Sequence, residues 1–254
     1  MMRLLRTRQK NAVFYAGRLE ALLDDDPERL AAIRTDPDSV ALLTWNIFTS
    51  LSTHADADWL AHRLQALGGS AVRAPVRISL WTGREREPLL RPSRAYRAAL
   101  RERSPTAGGD GDGLAPFEQP IEVPVRIESP DALVLVDTIG TQYPRGAGGR
   151  DRLLELIDAG LDHARRLSRS LTVTVVYPSG ARAAGELSAR VNQLRDPGAL
   201  RTELAYRPSV DPVTLREMTW QRLIHLWNAE RPYLDISGQP VRAFLEHLQQ
   251  RGLC

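Results

Sequence analysis

The run Ile121 to Gly140, "IEVPVRIESPDALVLVDTIG", decides how the rest of the chain is read. Val123, Val125 and Ile127 alternate with Pro124, Arg126 and Glu128, the two-residue period of a strand with one face buried. After Ser129-Pro130-Asp131, a turn signature, a second strand-like run ends in Asp137-Thr138-Ile139. The pattern predicts an antiparallel hairpin. It also sets Glu122, Pro124, Arg126 and Glu128 at one parity, so they share a face.

Working outward, "GRDRLLELIDAGLDHARRLSRS" places Leu153, Leu154, Ile157, Leu161, Ala164 and Leu167 on one side of a helix, and "SLTVTVVYPSG" is nearly all β-branched and apolar. Such a run is an interior strand covered on both faces. Strand, helix, strand from Leu133 through Val176 calls for a right-handed crossover and a parallel pair. Upstream, "APVRISLWTG" alternates Val76, Ile78 and Leu80 with Arg77, Ser79 and Trp81, a further half-buried strand. The fold class expected is therefore α/β, a mixed central sheet flanked by helices.

Before the sheet, helices are expected over Thr7 to Leu23, in "DDDPERLAAI" with Asp26 as N-cap and Pro27 in the first turn, in "TDPDSVALLTWNIFTSL", and in "DADWLAHRLQAL" up to Gly68-Gly69. "SRAYRAALRER" reads as a short arginine-rich helix, and Ser104 to Pro116 as a mobile loop. From about Ala183 the chain reads as helices, "VTLREMTWQRLIHLW" and "QPVRAFLEHLQQ" being the clearest. Residues 1–70 thus form an N-terminal helical region, 71–180 the core sheet with its loop 104–116, and 181–254 a C-terminal helical region, expected to make one compact domain.

A chain of 254 residues, 43% hydrophobic and 26% charged, can bury a large core. No stretch reaches the roughly 18 apolar residues of a membrane span. With the basic start "MMRLLRTRQK" and no apolar run behind it, this leads to the expectation of a cytoplasmic protein without a membrane partner. The one cysteine, Cys254, excludes an intrachain disulfide and a cysteine metal cluster. Lys10 is the only lysine, so chemistry that requires a lysine has one candidate.

Several short pieces together resemble the PD-(D/E)XK, or restriction-endonuclease-like, superfamily and its uncharacterised bacterial branch: Thr44-Trp45-Asn46, Leu80-Trp81, Glu122-Val123-Pro124, Ser129-Pro130-Asp131, Asp137-Thr138-Ile139, Gly149-Arg150-Asp151-Arg152 and "MTWQRLIHL". They span roughly Asp38 to Leu226. The resemblance implies an αβββαβ core with extra N- and C-terminal helices, and a site where strand carboxylates hold a metal ion that lowers the pKa of a water from about 15.7 toward neutrality. In that pattern the aspartate falls on Pro124, the glutamate on Asp137 and the lysine on Ile139, a degenerate motif. A rearranged site would use Asp137 and Glu122 as metal ligands, with Arg126 stabilising charge in place of the lysine.

The implied protein has a largely lost metal site and acts as a nucleic-acid-binding or assembly subunit, in a bacterial defence setting by family analogy. Two alternatives stay open: an active nuclease with Mg or Mn at Asp137 and Glu122, and a protein-interaction module unrelated to nucleic acid. No cofactor is expected outside the nuclease reading, and a protein partner or homodimer is compatible with all three.

The five histidines are scattered without metal-ligand spacing, and no Gly-x-Ser-x-Gly occurs. "RGAGGRDR" lacks the Gly-Lys-Ser/Thr ending of a nucleotide loop and reads as a helix entry. The arginines are more informative. Arg94, Arg97 and Arg101 recur at helical spacing, and together with Arg145, Arg150 and Arg152 they are the candidate nucleic-acid contacts. Trp45 and Trp81 lie in patterned segments and read as core.

Overall fold

A computed structural model describes residues 11–83, 86–103, 120–140, 151–180 and 182–254. The described elements run α1 (Ala16–Leu22), α2 (Pro27–Thr35), α3 (Val40–Ser52), α4 (Ala57–Gly68), β1 (Arg77–Thr82) and α5 (Arg94–Arg103). They continue with β2 (Val123–Glu128), β3 (Ala132–Thr138), α6 (Arg152–Arg166), β4 (Ser170–Tyr177), α7 (Arg182–Arg195), α8 (Pro197–Glu203), β5 (Val213–Thr219), α9 (Trp220–Glu230) and α10 (Gln239–Gln250). The proposed loop 104–116 and the run 141–150 lie outside the described residues.

The chain forms two compact units, Asp56–Thr219 on the one hand and the residues up to Ala55 with Trp220–Cys254 on the other. The first holds a five-stranded sheet in the order β1-β2-β3-β4-β5. β1, β2 and β3 pair antiparallel, whereas β3, β4 and β5 pair parallel, so the sheet is mixed and helices flank it. The hairpin is as short as its sequence predicts: Ser129 N donates to Ala132 O at 2.9 Å, leaving Pro130 and Asp131 as the turn.

Register divides β3 between two faces. Leu133 and Leu135 lie beside Leu171 and Val173 of β4, and they belong to one buried cluster with Ile157 and Leu161 of α6, Tyr96 of α5 and Val191 of α7. A fully buried aliphatic side chain of this kind contributes about 1.5–3 kcal/mol. Gly160 allows α6 to come this close, because a Cβ there would stand 2.9 Å from a Leu135 methyl and 3.0 Å from those of Leu171. On the opposite face Thr174 Oγ1 donates to Leu67 O at 2.8 Å and Thr172 Oγ1 to Gly68 O at 3.4 Å, so sheet hydroxyls satisfy carbonyls at the C-terminus of α4. α4, which the sequence groups with the preceding helices, therefore packs as the second layer of the sheet unit.

Two readings change. Val213–Thr219 is a strand, not the first half of a helix, because β4 offers a free parallel edge: Leu171 to Tyr177 pair with Val213 to Thr219 residue for residue. Tertiary pairing overrides an ambiguous local pattern. The first helix is also shorter than Thr7 to Leu23, since Asn46 Oδ1 accepts from Phe14 N at 2.9 Å, Asn46 Nδ2 donates to Ala12 O at 2.8 Å, and Trp45 Nε1 donates to Phe14 O at 2.6 Å. These side chains take the backbone groups a helix would use, and Tyr15 at φ 50° turns the chain into α1. Asp26 caps α2 as expected, accepting from Arg29 N at 3.0 Å.

α5 is tied to α6 by one buried carboxylate. Asp158, fully enclosed, accepts from Ser93 N at 2.5 Å, Ser93 Oγ at 3.0 Å, Tyr206 OH at 3.3 Å and Arg207 Nη1 at 2.5 Å. Ser93 Oγ in turn accepts from Tyr96 N at 3.0 Å in the first turn of α5. Replacing Asp158 by Ala leaves the buried Arg207 charge with Asp162 as its remaining carboxylate, and we expect a loss of about 3–5 kcal/mol in urea unfolding. An unchanged midpoint would mean that this junction does not hold α5.

Candidate functional site

β3 carries Asp137 to the carboxyl end of the central strand, where its residue is 5% exposed. The ladder that sets Val125 opposite Val136 brings Pro124 beside Asp137, and the β1 register brings Trp81 beside Pro124. Asp137 itself lies opposite Val175, and Val175 opposite Glu217. A single row thus crosses the sheet as Trp81, Pro124, Asp137, Val175 and Glu217. Pro124 is the second residue of an interior strand, where it has neither a ladder donor nor a metal-ligating side chain. Ile139 is 3% exposed within the apolar cluster.

The partner of Asp137 comes from the start of α6. Asp151 caps that helix, accepting from Leu153 N at 2.9 Å, and this fixes Arg152 above the end of β3. Arg152 Nη2 stands 3.1 Å from Asp137 Oδ1 and Nε 3.3 Å from Oδ2, a two-pronged contact. The same Nη2 donates to the backbone carbonyl of Glu122 at 2.5 Å. Burial works to lower the pKa of Arg152, but the charge and hydrogen bonds of Asp137, with the carboxylates of Glu155 and Glu122, raise it above its ordinary value. A fixed monovalent cation therefore sits on the oxygens that a metal would need.

Mg or Mn does not fit this donor set. Both carboxylate oxygens of Asp137 face a guanidinium, which would repel a second cation, and neither Pro124 nor Ile139 has a ligand atom to offer. Among the described residues, no group of three or more His, Cys, Asp or Glu is placed to hold a metal ion.

Of the sequence candidates, Asp137 and the backbone of Glu122 come together, around Arg152. Arg126 does not join them. It is 3% exposed, lies opposite Leu135, and donates from Nη2 to His163 Nε2 at 2.8 Å while pairing with Glu128 at 3.0 Å. His163 is eleven residues beyond Arg152 on α6, about 16 Å along the axis. Arg94 and Arg101 are exposed on α5 and Arg97 is half-buried there, whereas Arg145 and Arg150 lie outside the described residues. Arg152, expected from its cluster to contact phosphate, is engaged inward. Trp45 and Trp81 are buried, at 3% and 4%.

The sequence reading passed over a second charged group at the amino end of the sheet. Glu128 receives Arg126, Arg169 Nη1 at 2.6 Å and Arg77 Nη2 at 3.3 Å, and these arginines hold its pKa below the ordinary value although burial pushes it up. Because a guanidinium can only donate, His163 Nε2 accepts and the ring is neutral. Burial first, then Arg126 and Arg166, lower the His163 pKa to about 4. The shared parity of Arg126 and Glu128 was legible; the approach of His163 from a helix 35 residues later was not.

Comparisons with protein-family models, with curated proteins and with solved structures return no match.

Two outcomes follow from these pairs. Arg152→Ala strands a buried carboxylate and should lower stability by about 3 kcal/mol, with Asp137→Ala in the same chain recovering part of that loss in a double-mutant cycle; independent, additive losses would contradict the pairing. His163 stays neutral in the folded chain from its unfolded value of 6.5 down to about 4, so the unfolded state binds the proton first. Its contribution is complete above pH 6.5 and declines as pH falls toward 4, by about 3 kcal/mol in all. His163→Gln should flatten the stability profile between pH 6.5 and 5, measured by urea midpoints.

Proposed function

We propose that this chain is a nucleic-acid-binding protein on a restriction-endonuclease-like scaffold that does not itself hydrolyse phosphodiesters. The observation that carries the reading is the Arg152 guanidinium seated on Asp137 and the Glu122 carbonyl, at the row where Pro124 stands next to Asp137. The order α4, β1, β2, β3, α6, β4 supports the scaffold assignment, because it follows the αβββαβ sequence of that superfamily apart from the inserted α5.

Binding is supported by the outer face of α5. Arg94, Arg97 and Arg101 follow one another at three- and four-residue steps, so they line one side of the helix, with exposed Arg91 just before it. Tyr96 and Leu100 bury the other side, and Asp158 holds the helix start through Ser93. A row of guanidinium groups on a helix fixed to the sheet suits the phosphate backbone, which is recognised without base contacts. The assembly role and the defence setting rest on the family resemblance.

The test combines cleavage with salt dependence. Incubation with plasmid and single-stranded DNA in Mn²⁺ should leave both intact, and DNA affinity should fall linearly in log–log form with salt. Arg94→Gln with Arg101→Gln should reduce that slope by about 1.8 on duplex DNA. Cleavage by the wild type that Asp137→Ala abolishes would establish the nuclease reading instead. Absence of binding at low salt would favour the protein-interaction module.

A further inference from the structure

The amino end of the sheet carries more positive charge than it neutralises. Arg77 from β1, Arg126 from β2 and Arg169 from the turn before β4 all converge on one carboxylate, Glu128, at 3.3, 3.0 and 2.6 Å. That is three positive charges against one negative. Arg166 adds a fourth guanidinium, 3.4 Å from His163 Nδ1. The neighbouring pair Arg73 and Asp131 is balanced and contributes no compensation.

Hydrogen bonding within the group is also incomplete. Three guanidinium groups bring about fifteen N–H donors, and one carboxylate offers about four acceptor sites. Arg126 Nε and Nη1 are buried with no hydrogen-bond partner, and Glu128 Oε1 makes ion pairs with Arg126 and Arg77 but no hydrogen bond, so the cluster is incompletely paired. An unpaired buried donor of a charged group is costly, and a neutral histidine accepting from Nη2 supplies no charge. The mutual repulsion also registers in the titration of the group: Arg77 and Arg169 help burial to lower the Arg126 pKa, and Arg126, Arg166 and Arg169 help burial to lower that of His163.

We infer that Arg77, Arg126 and Arg169 form a binding site for a phosphate oxyanion at the amino end of the sheet. The site is graded in depth. The Arg126 side chain is 3% exposed, that of Arg169 21% and that of Arg77 70%, so an anion arriving from solvent meets Arg77 first and Arg169 behind it. Two planar forks, one from β1 and one from the turn before β4, suit the tetrahedral oxygens of phosphate better than a single lysine would. Glu128 then serves as the fixed acceptor that orients the arginines, and its single charge leaves the site net positive. The inference does not depend on the α5 surface, from which it differs in residues and in secondary structure elements.

The experiment is thermal unfolding of the full chain at pH 7 in sodium phosphate against sodium chloride of equal ionic strength. We expect a saturable rise in Tm with phosphate and none with chloride, with Arg77→Gln weakening the apparent phosphate affinity about tenfold. Arg77 is exposed, so in chloride this variant should shift the Tm by no more than a surface ion pair is worth, and the readout is the lost phosphate response relative to its own Tm in chloride. Arg94→Gln with Arg101→Gln should keep the full phosphate response, which separates this site from the α5 surface. A 12-nucleotide single strand that abolishes further stabilisation by phosphate, in that same double variant, would assign the oxyanion to a nucleic-acid backbone; phosphate stabilisation unaffected by the strand would assign it to free phosphate or a phosphomonoester. Equal Tm in phosphate and chloride would overturn the proposal, as would an unaltered phosphate response in Arg77→Gln.

Discussion

β3 is buried on both faces and hydrogen-bonded on both edges, so a charge near its end cannot be left to solvent. Asp137 meets that constraint with a cation built into the fold, and the requirement propagates. Arg152 must stand at the first turn of α6, which requires the Asp151 cap. Asp151 is itself gripped by Arg190 of α7 at 2.8 Å, and Arg190 also reaches Glu203 of α8 at 2.7 Å. A chain of alternating charge thus runs from the central strand to the outer helices. It fixes how α6 enters the sheet as firmly as the apolar contacts under Gly160 fix its depth.

The parts of the fold that were readable are those whose signal is local. The hairpin carries its own period and turn, and the strand over Ser170 to Tyr177 is too rich in apolar and β-branched residues to be half-exposed. Asp26 and Gly69 mark a helix start and a helix stop as their chemistry predicts. What failed depends on a partner far away in sequence. Val213–Thr219 becomes a strand because β4 has an open edge, and residues 11–14 stay out of the helix because Trp45 and Asn46, more than thirty residues later, bind their backbone.

The candidate site divides in the same way. Asp137, Pro124 and Ile139 could be singled out from the family resemblance alone. Arg152 could be named from its cluster but not placed, because its inward direction follows from where α6 docks. Arg126 was grouped with Asp137 by strand parity, and they do share a face; yet its guanidinium turns to Glu128 and His163 at the other end of the strand. Parity fixes a side of the sheet and is silent on the direction along it, which is set by the partners at either end.

The second unit joins the two ends of the chain. Phe14 stacks on Trp227 with centroids 6.2 Å apart, Trp227 Nε1 donates to Ser50 Oγ at 2.9 Å, and Tyr15 OH donates to Asp235 O at 2.6 Å. Residues 56–219, a continuous stretch, can assemble as they leave the ribosome, whereas Phe14 packs on Trp227 and Phe244, which are made later. At about 5–20 residues per second the intervening synthesis lasts on the order of ten to thirty seconds. Over that interval Leu42, Leu43, Ile47 and Phe48, all fully enclosed in the finished molecule, belong to an incomplete core. The nascent chain is therefore most exposed to aggregation in the segment before Asp56, and a ribosome that stalls before Trp220 releases a finished sheet attached to an unfinished helical core.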